Sequence, residues 1–244
     1  MHISKTVAVL ILSLCWAASP ARAEVARVIA LTGNVTAVAG AAGPRSLSEG
    51  AAVDVGDVIA TAADSAVQLR FTDGALLALH PNTQFRIDAY AYQANSPRES
   101  GFFSLLKGGL RTLSGLIGRA NKQNYRMHTP IATVGIRGTD YSLRLCQDDC
   151  FDSDDGLYLG VAEGSINASN NAGSFDLAAG QYGYIRDANS PLTALPSPPE
   201  ALIINASDER IRFYPRYDLD TLSDAPGAAR AFEFRGGDLV RCVP

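Results

Sequence analysis

The chain has 244 residues, of which 47% are hydrophobic and 19% are charged, and its formal net charge is −4 at pH 7. This apolar content excludes a chain that is disordered throughout, and the acidic balance argues against nucleic acid as a partner. Short apolar segments with almost no helical periodicity predict a chain built from strands.

The N-terminal segment, residues 1–23, predicts a secretory signal peptide. Lys5 precedes an uncharged apolar run over residues 6–18, and cleavage is expected before Glu24. The run is about a dozen residues long, whereas a membrane-spanning helix needs roughly 20. We therefore expect a bacterial protein that is periplasmic or secreted and does not span a membrane. A lipid anchor at Cys15 is the alternative, although a leucine stands directly before it where a small residue is expected.

From Glu24 onward, strand-like segments alternate with glycine-containing turns about every 8 to 12 residues. The clearest is a hairpin, in which residues 67–71 and 75–79 flank the turn at Asp73-Gly74. Leucines in residues 102–117 could stripe a helix, but four glycines disfavour one, so we predict two strands with turns there. The other strand candidates are residues 35–38, 58–61, 85–90, 125–129, 131–136, 139–145, 157–162, 165–168, 175–178 and 181–186.

These segments predict an all-β domain over residues 24–187, with stacked short strands and glycine turns. Both a β-helix-like and a sandwich arrangement fit. Four prolines mark residues 188–200 as a Pro-rich linker. Residues 201–244 are too few to build a core, so we expect this small C-terminal extension to pack on the main domain.

Three cysteines follow the expected cleavage site, and an oxidising compartment favours a disulfide. Cys146 and Cys150 are the expected pair. The chain must turn back between them, because a disulfide joins Cα atoms only about 4.4–6.8 Å apart. Closing so short a loop stabilises the fold by only about 2 kcal/mol. Cys242 is then free or paired with one of the other two. A redox dithiol or metal site is the alternative, but it would need C-x-x-C spacing or further ligands.

Catalytic motifs are absent from the sequence, which favours a non-enzymatic protein without a cofactor. His80 and His128 are the two histidines after the leader, and neither lies in a nucleophile elbow, a metal-ligand pair or a triad motif. The acidic run over residues 148–155 resembles a calcium loop in composition, with Asp152 and Asp154 as weak candidate ligands. The spacing of a calcium loop is missing, so we expect a solvated acidic hairpin instead.

The densest motif lies in residues 129–141, where one arginine stands between two glycines inside an apolar segment. A buried Arg137 would need an acidic partner such as Asp140 or Glu163. We interpret the motif as structural, with a surface that recognises a partner or ligand as the alternative. The candidate site residues are Gly135, Arg137, Gly138, Thr139 and Asp140.

Four tyrosines indicate a second kind of candidate site. They form two pairs that alternate along predicted strands, so each pair shares one face of the sheet, as a flat sugar-stacking surface requires. Ordinary packing in the core or on the sheet surface is the alternative. The four residues are Tyr90, Tyr92, Tyr182 and Tyr184.

Several segments, taken in order, resemble the FecR domain family, whose best-known members are iron-citrate sensor proteins. The residues that carry the resemblance are Gly56-Asp57-Val58-Ile59-Ala60-Thr61, residues 65–71 with Asp73-Gly74, Leu106-Lys107-Gly108-Gly109-Leu110-Arg111, Thr129-Pro130 and Val134-Gly135-Ile136-Arg137-Gly138-Thr139. The resemblance is firm over residues 50–150 and looser over residues 24–187.

The FecR resemblance implies an all-β extracytoplasmic domain. In the sensor members, this domain receives a signal from an outer-membrane receptor and passes it through one transmembrane helix to a cytoplasmic segment that controls a sigma factor. The present chain departs from that plan, because it has a predicted cleavable leader and no predicted spanning helix.

We therefore expect a protein-interaction or signal-relay module of the cell envelope. Its expected partner is an envelope protein, either an outer-membrane receptor or an inner-membrane sensor. One alternative is a module that binds cell-wall glycan or another carbohydrate. Another is a regulator that acts with a separate anti-sigma or receptor partner. A family resemblance alone does not decide among them.

Overall fold

A computed structural model describes residues 24–202, apart from residues 95, 97, 121 and 151. This part of the chain is nearly all strand, which confirms the predicted all-β class. The predicted leader, Cys15, Cys242 and the extension beyond Leu202 lie outside the described residues.

The strands before residue 100 are short, and several follow each other through tight turns. They are β1 (Ala26–Thr32), β2 (Val35–Ala39), β3 (Arg45–Ser46), β4 (Ala52–Val53), β5 (Asp57–Thr61), β6 (Ala66–Phe71), β7 (Leu76–Leu79) and β8 (Gln84–Ala91).

The second half begins with the longest described strand, β9 (Ser100–Leu113), which leads into the short helix α1 (Leu116–Ala120) and a 3-10 helix (Lys122–Asn124). The remaining strands are β10 (Tyr125–His128), β11 (Thr133–Ile136), β12 (Asp140–Cys146), β13 (Gly156–Glu163), β14 (Ser165–Asn170), β15 (Gly173–Ala178), β16 (Tyr182–Ile185) and β17 (Thr193–Leu195). A second 3-10 helix (Glu200–Leu202) closes the described chain.

The strands form two sheets that share β9. Sheet A has the order β4-β1-β6-β7-β9-β12-β13-β16-β17. Sheet B has the order β3-β2-β5-β8-β9-β10-β11-β14-β15. All of these pairings are antiparallel except the one between β9 and β10, which is parallel.

One hydrophobic core lies between the two sheets. It takes alternate residues from most strands, such as Leu69, Leu77 and Leu143 from sheet A and Phe85 and Val134 from sheet B. Aromatic rings meet across the layers, and the ring centroids of Phe71 in β6 and Phe103 in β9 are 5.4 Å apart. Every second side chain of a strand points into this core. Short sequences in which apolar and polar residues alternate therefore form these strands.

Strand β9 joins the sheets by bending at Gly108. Residues before the bend pair with β8 and β10, and residues from Gly108 onward pair with β7 and β12. Gly108 has a φ of +82°, and a Cβ there would lie 2.6 Å from Cα of Thr83, so the bend requires glycine. The prediction of two separate strands in this region was wrong, because this glycine lets one strand change sheets without ending. The last leucine of the predicted stripe instead begins α1.

The C-terminal part of the described chain stays attached to sheet A. Strand β17 lies within the segment predicted as a Pro-rich linker, and it pairs with β16 at the edge of the sheet. The strand itself contains no proline, since Pro191 and Pro196 stand on either side of it. The second 3-10 helix then contacts β12 and β13. No helix among the described residues is long and apolar enough to cross a membrane.

Candidate functional site

Four chain segments meet at one corner of the sandwich, which we call the motif corner. They are the β6–β7 turn (residues 72–74), the β9–α1 junction (residues 114–119), the β11–β12 turn (residues 137–139) and the β13–β14 turn (residues 164–165). Two of these segments carry motifs of the FecR resemblance, namely Asp73-Gly74 and the end of the arginine motif. The four segments are far apart in the sequence, and the fold brings them together.

The Asp73 carboxylate ties the β6–β7 turn to α1. It is 4% exposed, and its two oxygens accept hydrogen bonds from the backbone N–H groups of Ala75 (3.1 Å) and Ile117 (3.2 Å). Burial raises the pKa of Asp73, although these hydrogen bonds act in the opposite direction. Gly115 is needed beside it, because a Cβ at that residue would lie 2.5 Å from the carboxylate oxygen Oδ2.

Thr139 connects three of the four segments. Its side chain is buried, and Oγ1 donates to the Ser165 carbonyl (2.8 Å) while it accepts from the Arg137 N–H (3.1 Å). Its backbone N–H donates to Ser114 Oγ at 2.8 Å, and Ser114 N–H donates back to the Thr139 carbonyl at 3.0 Å. These bonds fix the turn that carries Arg137 against both neighbouring segments.

Gly164 allows the β11–β12 turn and the β13–β14 turn to touch. Its φ is +74°, and a Cβ on it would overlap the carbonyl oxygen of Gly138. The backbone of Arg137 continues this contact, since its N–H donates to the Ser165 carbonyl at 2.9 Å. The glycines therefore permit a close backbone approach that a side chain would block.

Arg137 does not point inward. Its side chain is exposed and makes no hydrogen bond or ion pair within the described part of the chain. Asp140, which we had considered as its partner, instead accepts two hydrogen bonds from Arg111, at 3.0 Å from Nε and 2.7 Å from Nη2. Glu163 is also exposed. The structural role that we had considered for Arg137 thus falls to its buried neighbour Thr139, and the arginine faces solvent.

Three more basic residues lie near the turn that carries Arg137. Arg119 Cγ lies 3.9 Å from the position that a Cβ on Gly138 would occupy, and Arg126 Nη1 lies 3.7 Å from the same position on Gly135. The 3-10 helix that carries Lys122 contacts β11, the strand before Arg137. We call these four side chains the basic patch. The set is Arg119, Lys122, Arg126 and Arg137.

The local charge balance makes the basic patch unusual for an acidic chain. Residues 100–147 contain seven Lys or Arg residues but only one acidic residue, Asp140. That one carboxylate is already bound to Arg111. This cluster of basic residues is the sequence signal that could have predicted the patch, which contains no catalytic or metal-binding motif.

The predicted disulfide is present between Cys146 and Cys150, whose Cα atoms are 5.5 Å apart. It closes the start of the acidic loop, in which Asp155 Oδ1 accepts from the Asp148 N–H at 2.7 Å. Among the described residues, no cluster of three or more His, Cys, Asp or Glu side chains could hold a metal ion. The weak calcium assignment to Asp152 and Asp154 therefore gains no support.

Tyr90 packs into the core and is not a free stacking surface. Its ring centroid lies 5.4 Å from that of Phe71, and its hydroxyl accepts a hydrogen bond from the Asp73 N–H at 2.9 Å. Burial raises the pKa of Tyr90. A bulge in β8 after Ile87 shifts the alternation, so that Tyr90 faces inward. Tyr92 follows the end of β8 and is half-buried.

Tyr182 and Tyr184 do share a face, which is the outer face of sheet A. Tyr184 packs against Tyr158 of β13 with 4.8 Å between the ring centroids, and its hydroxyl donates to the Asp155 carbonyl. Tyr182 covers Gly160. Beside Tyr158 lies an open groove of about 520 Å³, which is lined by Asp152, Ser153, Asp154, Tyr158, Leu195, Pro199 and Glu200. The sequence search missed Tyr158, because it stands alone in an apolar strand.

Comparison with solved structures gives similarity at low identity. Two crystal structures of a "putative anti-sigma factor" from Parabacteroides distasonis ATCC 8503, at 1.65 and 2.50 Å resolution, match with TM-scores of 0.44 and 0.45 and 14% identity. Each match covers 57% of this chain and 59% of the other, so it spans little more than half of either protein. Similarity at this level carries no argument about function.

Comparison with protein families is more specific. A search of curated protein sequences returns no match. A family model described as FecR protein matches residues 57–167, which run from β5 into β14. This segment includes all four parts of the motif corner and all four residues of the basic patch. Residues 57–167 of this chain therefore match the FecR family, as the sequence motifs predicted.

Proposed function

We propose that this protein is a non-enzymatic interaction module of the cell envelope, and that it relays a signal by binding another envelope protein at the basic patch. The observation that carries the proposal is an exposed arginine, Arg137, on a turn that buried hydrogen bonds hold in place. The predicted leader supports a periplasmic or secreted location.

The fixed turn favours binding because its backbone is already ordered before a partner binds. Thr139 binds the backbone N–H of Arg137 and Ser114 binds that of Thr139, so the loss of conformational entropy on binding is largely confined to the Arg137 side chain. Arginine is also among the residue types that dominate binding energy at protein interfaces.

The chemistry of the patch favours an acidic protein segment as the partner. An arginine guanidinium binds a carboxylate through two parallel hydrogen bonds, as Arg111 already does with Asp140. Several cations on one corner also steer an acidic partner toward it and raise the association rate.

In vivo crosslinking tests this function. The tagged chain, with its predicted leader retained, is expressed in its host, the envelope is crosslinked, and the bound proteins are identified by mass spectrometry. We expect one recurrent envelope protein, which is lost with Arg137→Ala and retained with Arg186→Ala, an exposed arginine after β16. Equal recovery with both variants would place the contact elsewhere, and background recovery with the unmodified chain would refute the proposal.

A carbohydrate-binding function is the second candidate, and the groove beside Tyr158 is the observation that favours it. Aromatic rings next to carboxylates are suited to stacking and hydrogen bonding with a sugar ring. Co-sedimentation with purified peptidoglycan tests this candidate, with Asp154→Ala as the groove variant and Asp64→Ala in an exposed loop as its control. Absence of the unmodified chain from the pellet would remove it.

A further inference from the structure

The disulfide between Cys146 and Cys150 lies beside an arginine on the outer face of sheet A. Leu143 and Leu145 of β12 belong to the core, so Arg144 and Cys146, which alternate with them, point to the outer face. Arg144 Nε donates a hydrogen bond to Cys150 Sγ at 3.2 Å, and the Arg144 side chain is only 14% exposed. A cation is therefore held directly against one sulfur of the disulfide.

The neighbouring strand β9 leaves room for Arg144 at this position. Gly109 is its partner in register, and a Cβ on Gly109 would lie 3.0 Å from Arg144 Cδ and 3.2 Å from His80 Nδ1. Burial, aided by the charges of Arg144 and Arg111, lowers the pKa of His80 to about 4. The imidazole is therefore neutral at pH 7, and the positive charge beside the sulfur is that of the arginine.

Asp149 does not cancel this positive charge. Its Oδ1 lies 3.9 Å from Cys150 Sγ, which is farther than Arg144 Nε. The same carboxylate lies 3.5 Å from Arg144 Nη2 and 3.9 Å from Lys107 Nζ, so two cations face one anion. The surroundings of Cys150 Sγ therefore favour a thiolate over a thiol. The other carboxylates of the acidic loop are exposed, where water screens their charge, and they belong to Asp148, Asp152, Asp154 and Asp155.

The two sulfurs of the disulfide differ in their access to solvent. Cys146 is 1% exposed, whereas Cys150 is half-buried. Thiol–disulfide exchange requires that an attacking thiolate reach one of the two sulfurs. Of this pair, Cys150 is the residue that an external thiolate can reach, and Cys146 is the residue that leaves.

The loop between the cysteines is also held by hydrogen bonds that do not involve sulfur. Asp155 Oδ1 accepts from the Asp148 N–H at 2.7 Å, and Asp149 Oδ1 accepts from the Gln147 N–H at 3.0 Å. Closing so short a loop with a disulfide contributes little to the stability of the fold. We therefore expect the domain to stay folded when the disulfide is reduced, with the two cysteines still close enough to pair again.

We propose that Cys146 and Cys150 form an exchangeable disulfide, in which Cys150 reacts with an external dithiol and Arg144 stabilises the Cys150 thiolate. A thiolate of the dithiol attacks Cys150 Sγ, the S–S bond breaks, and Cys146 leaves with the electron pair and takes a proton from water. The second thiolate of the dithiol attacks the dithiol sulfur that is bound to Cys150, which releases Cys150 as a thiolate. The dithiol is oxidised to a disulfide, and its two electrons reduce the cysteine pair.

This exchange site goes beyond the proposed function and shares no residue with the basic patch. The sequence lacks the C-x-x-C spacing that is typical of redox dithiols. In its place, the hydrogen bond from Arg144 supplies the stabilisation of the thiolate.

The pKa of the Cys150 thiol tests the proposal. In Cys146→Ser/Cys242→Ser, the rate at which iodoacetamide alkylates Cys150 in the folded chain is measured against pH by peptide mass spectrometry. We expect a midpoint about one pH unit or more below the ordinary thiol pKa of about 8.5. Adding Arg144→Gln should return the midpoint to about 8.5, and Arg144→Lys should keep part of the shift. Arg186→Gln, which changes an exposed arginine after β16, is the control and should leave the midpoint unchanged.

The redox equilibrium separates this role of Arg144 from a purely structural one. The unmodified chain and Arg144→Gln are equilibrated with mixtures of dithiothreitol and its oxidised form at pH 8 and pH 6. At pH 8, Arg144→Gln should need a ratio of reduced to oxidised dithiothreitol that is about fivefold higher or more for half-reduction. At pH 6 the two chains should need nearly the same ratio, because a thiol below its pKa is protonated in both.

Several results would overturn the proposal. A midpoint at or above about 8.5 would show that the thiolate is not stabilised, and no alkylation in the folded chain would show that Cys150 Sγ is not accessible. An equal effect of Arg144→Gln at both pH values would mean that the arginine stabilises the loop. Unfolding of the unmodified chain on reduction, followed by circular dichroism, would identify a structural disulfide. If Arg144→Gln itself unfolds, the midpoint of Cys146→Ser/Cys242→Ser with and without Arg144→Lys still decides.

Discussion

Ser114 and Thr139 exchange two hydrogen bonds across 25 residues of sequence, one from backbone to side chain at 2.8 Å and one between backbones at 3.0 Å. The pair joins the end of β9 to the start of β12, and the Thr139 hydroxyl extends the connection to β14. The small side chains of Ser114 and Thr139 together therefore set the position of the turn that displays Arg137.

Replacing Thr139 with valine tests this role. Thr139→Val keeps the shape of the side chain but leaves the Ser165 carbonyl without that donor and the Arg137 N–H without that acceptor, so we expect a loss of about 1–3 kcal/mol in the free energy of unfolding. Urea unfolding measures it. Thr193→Val, in the exposed edge strand β17, is the control and should change stability by less than about 0.5 kcal/mol. Equal losses of unfolding free energy in the two variants would show that the hydroxyl of Thr139 stabilises the fold no more than an exposed threonine hydroxyl does.

Two glycines allow the cost of a left-handed backbone to be measured separately from the cost of steric overlap. Gly164 and Gly50 have φ angles of +74° and +80°, but a Cβ on Gly50 would meet nothing within 4 Å, whereas one on Gly164 would overlap Gly138. Gly50→Ala should destabilise by about 1–2 kcal/mol for the left-handed backbone alone. Gly164→Ala should destabilise clearly more, as measured by thermal and urea unfolding. Similar losses for the two variants would contradict the close contact between the turns.

The buried imidazole of His80 predicts a pH dependence of stability. Its pKa is lowered in the folded chain from an ordinary value of 6.5 to about 4, so the unfolded chain binds the proton more readily. Stability from this residue is therefore complete above pH 6.5 and is lost as the pH falls toward 4. Urea unfolding across this range, compared with His80→Gln, should show a steeper loss for the unmodified chain. If an NMR titration shows that the His80 ring takes up its proton near the ordinary pKa, the predicted pH dependence is wrong.

Binding at the basic patch should depend on salt. Raising the ionic strength from about 0.05 M to 0.5 M shortens the screening length and should reduce recovery of the partner severalfold. Arg119→Glu, which reverses a charge beside Gly138, should have a similar effect, whereas Arg186→Glu should not. The readout is the amount of partner captured by the purified chain from an envelope extract. Capture that is insensitive to both salt and Arg119→Glu would argue for an apolar contact instead.

Local features of this fold were predictable from the sequence. The β6–β7 hairpin follows from alternation around Asp73-Gly74, and the pairing of Cys146 with Cys150 follows from their short separation. In each case the deciding residues lie within a few positions of one another. The FecR motifs added the order of the segments, which the family match over residues 57–167 confirms.

Features that depend on distant register were not predictable. Asp140 binds Arg111, 29 residues away, because β9 and β12 happen to be neighbours, and this pairing leaves Arg137 in solvent. Tyr90 faces the core because a bulge in β8 resets the alternation, and the sequence carries no clear sign of that bulge. The direction of a side chain is thus decided by which strand pairs with which, a choice that a period-two pattern does not contain.

Strand β9 has a further consequence for how the domain responds to force. It supplies a middle strand to both sheets, so neither sheet can lose β9 while the other stays whole. The motif corner lies directly after the last residue of this strand. A partner that pulls on the motif corner would therefore apply force to both sheets at once. The domain would then resist that force as one mechanical unit and unfold in a single step.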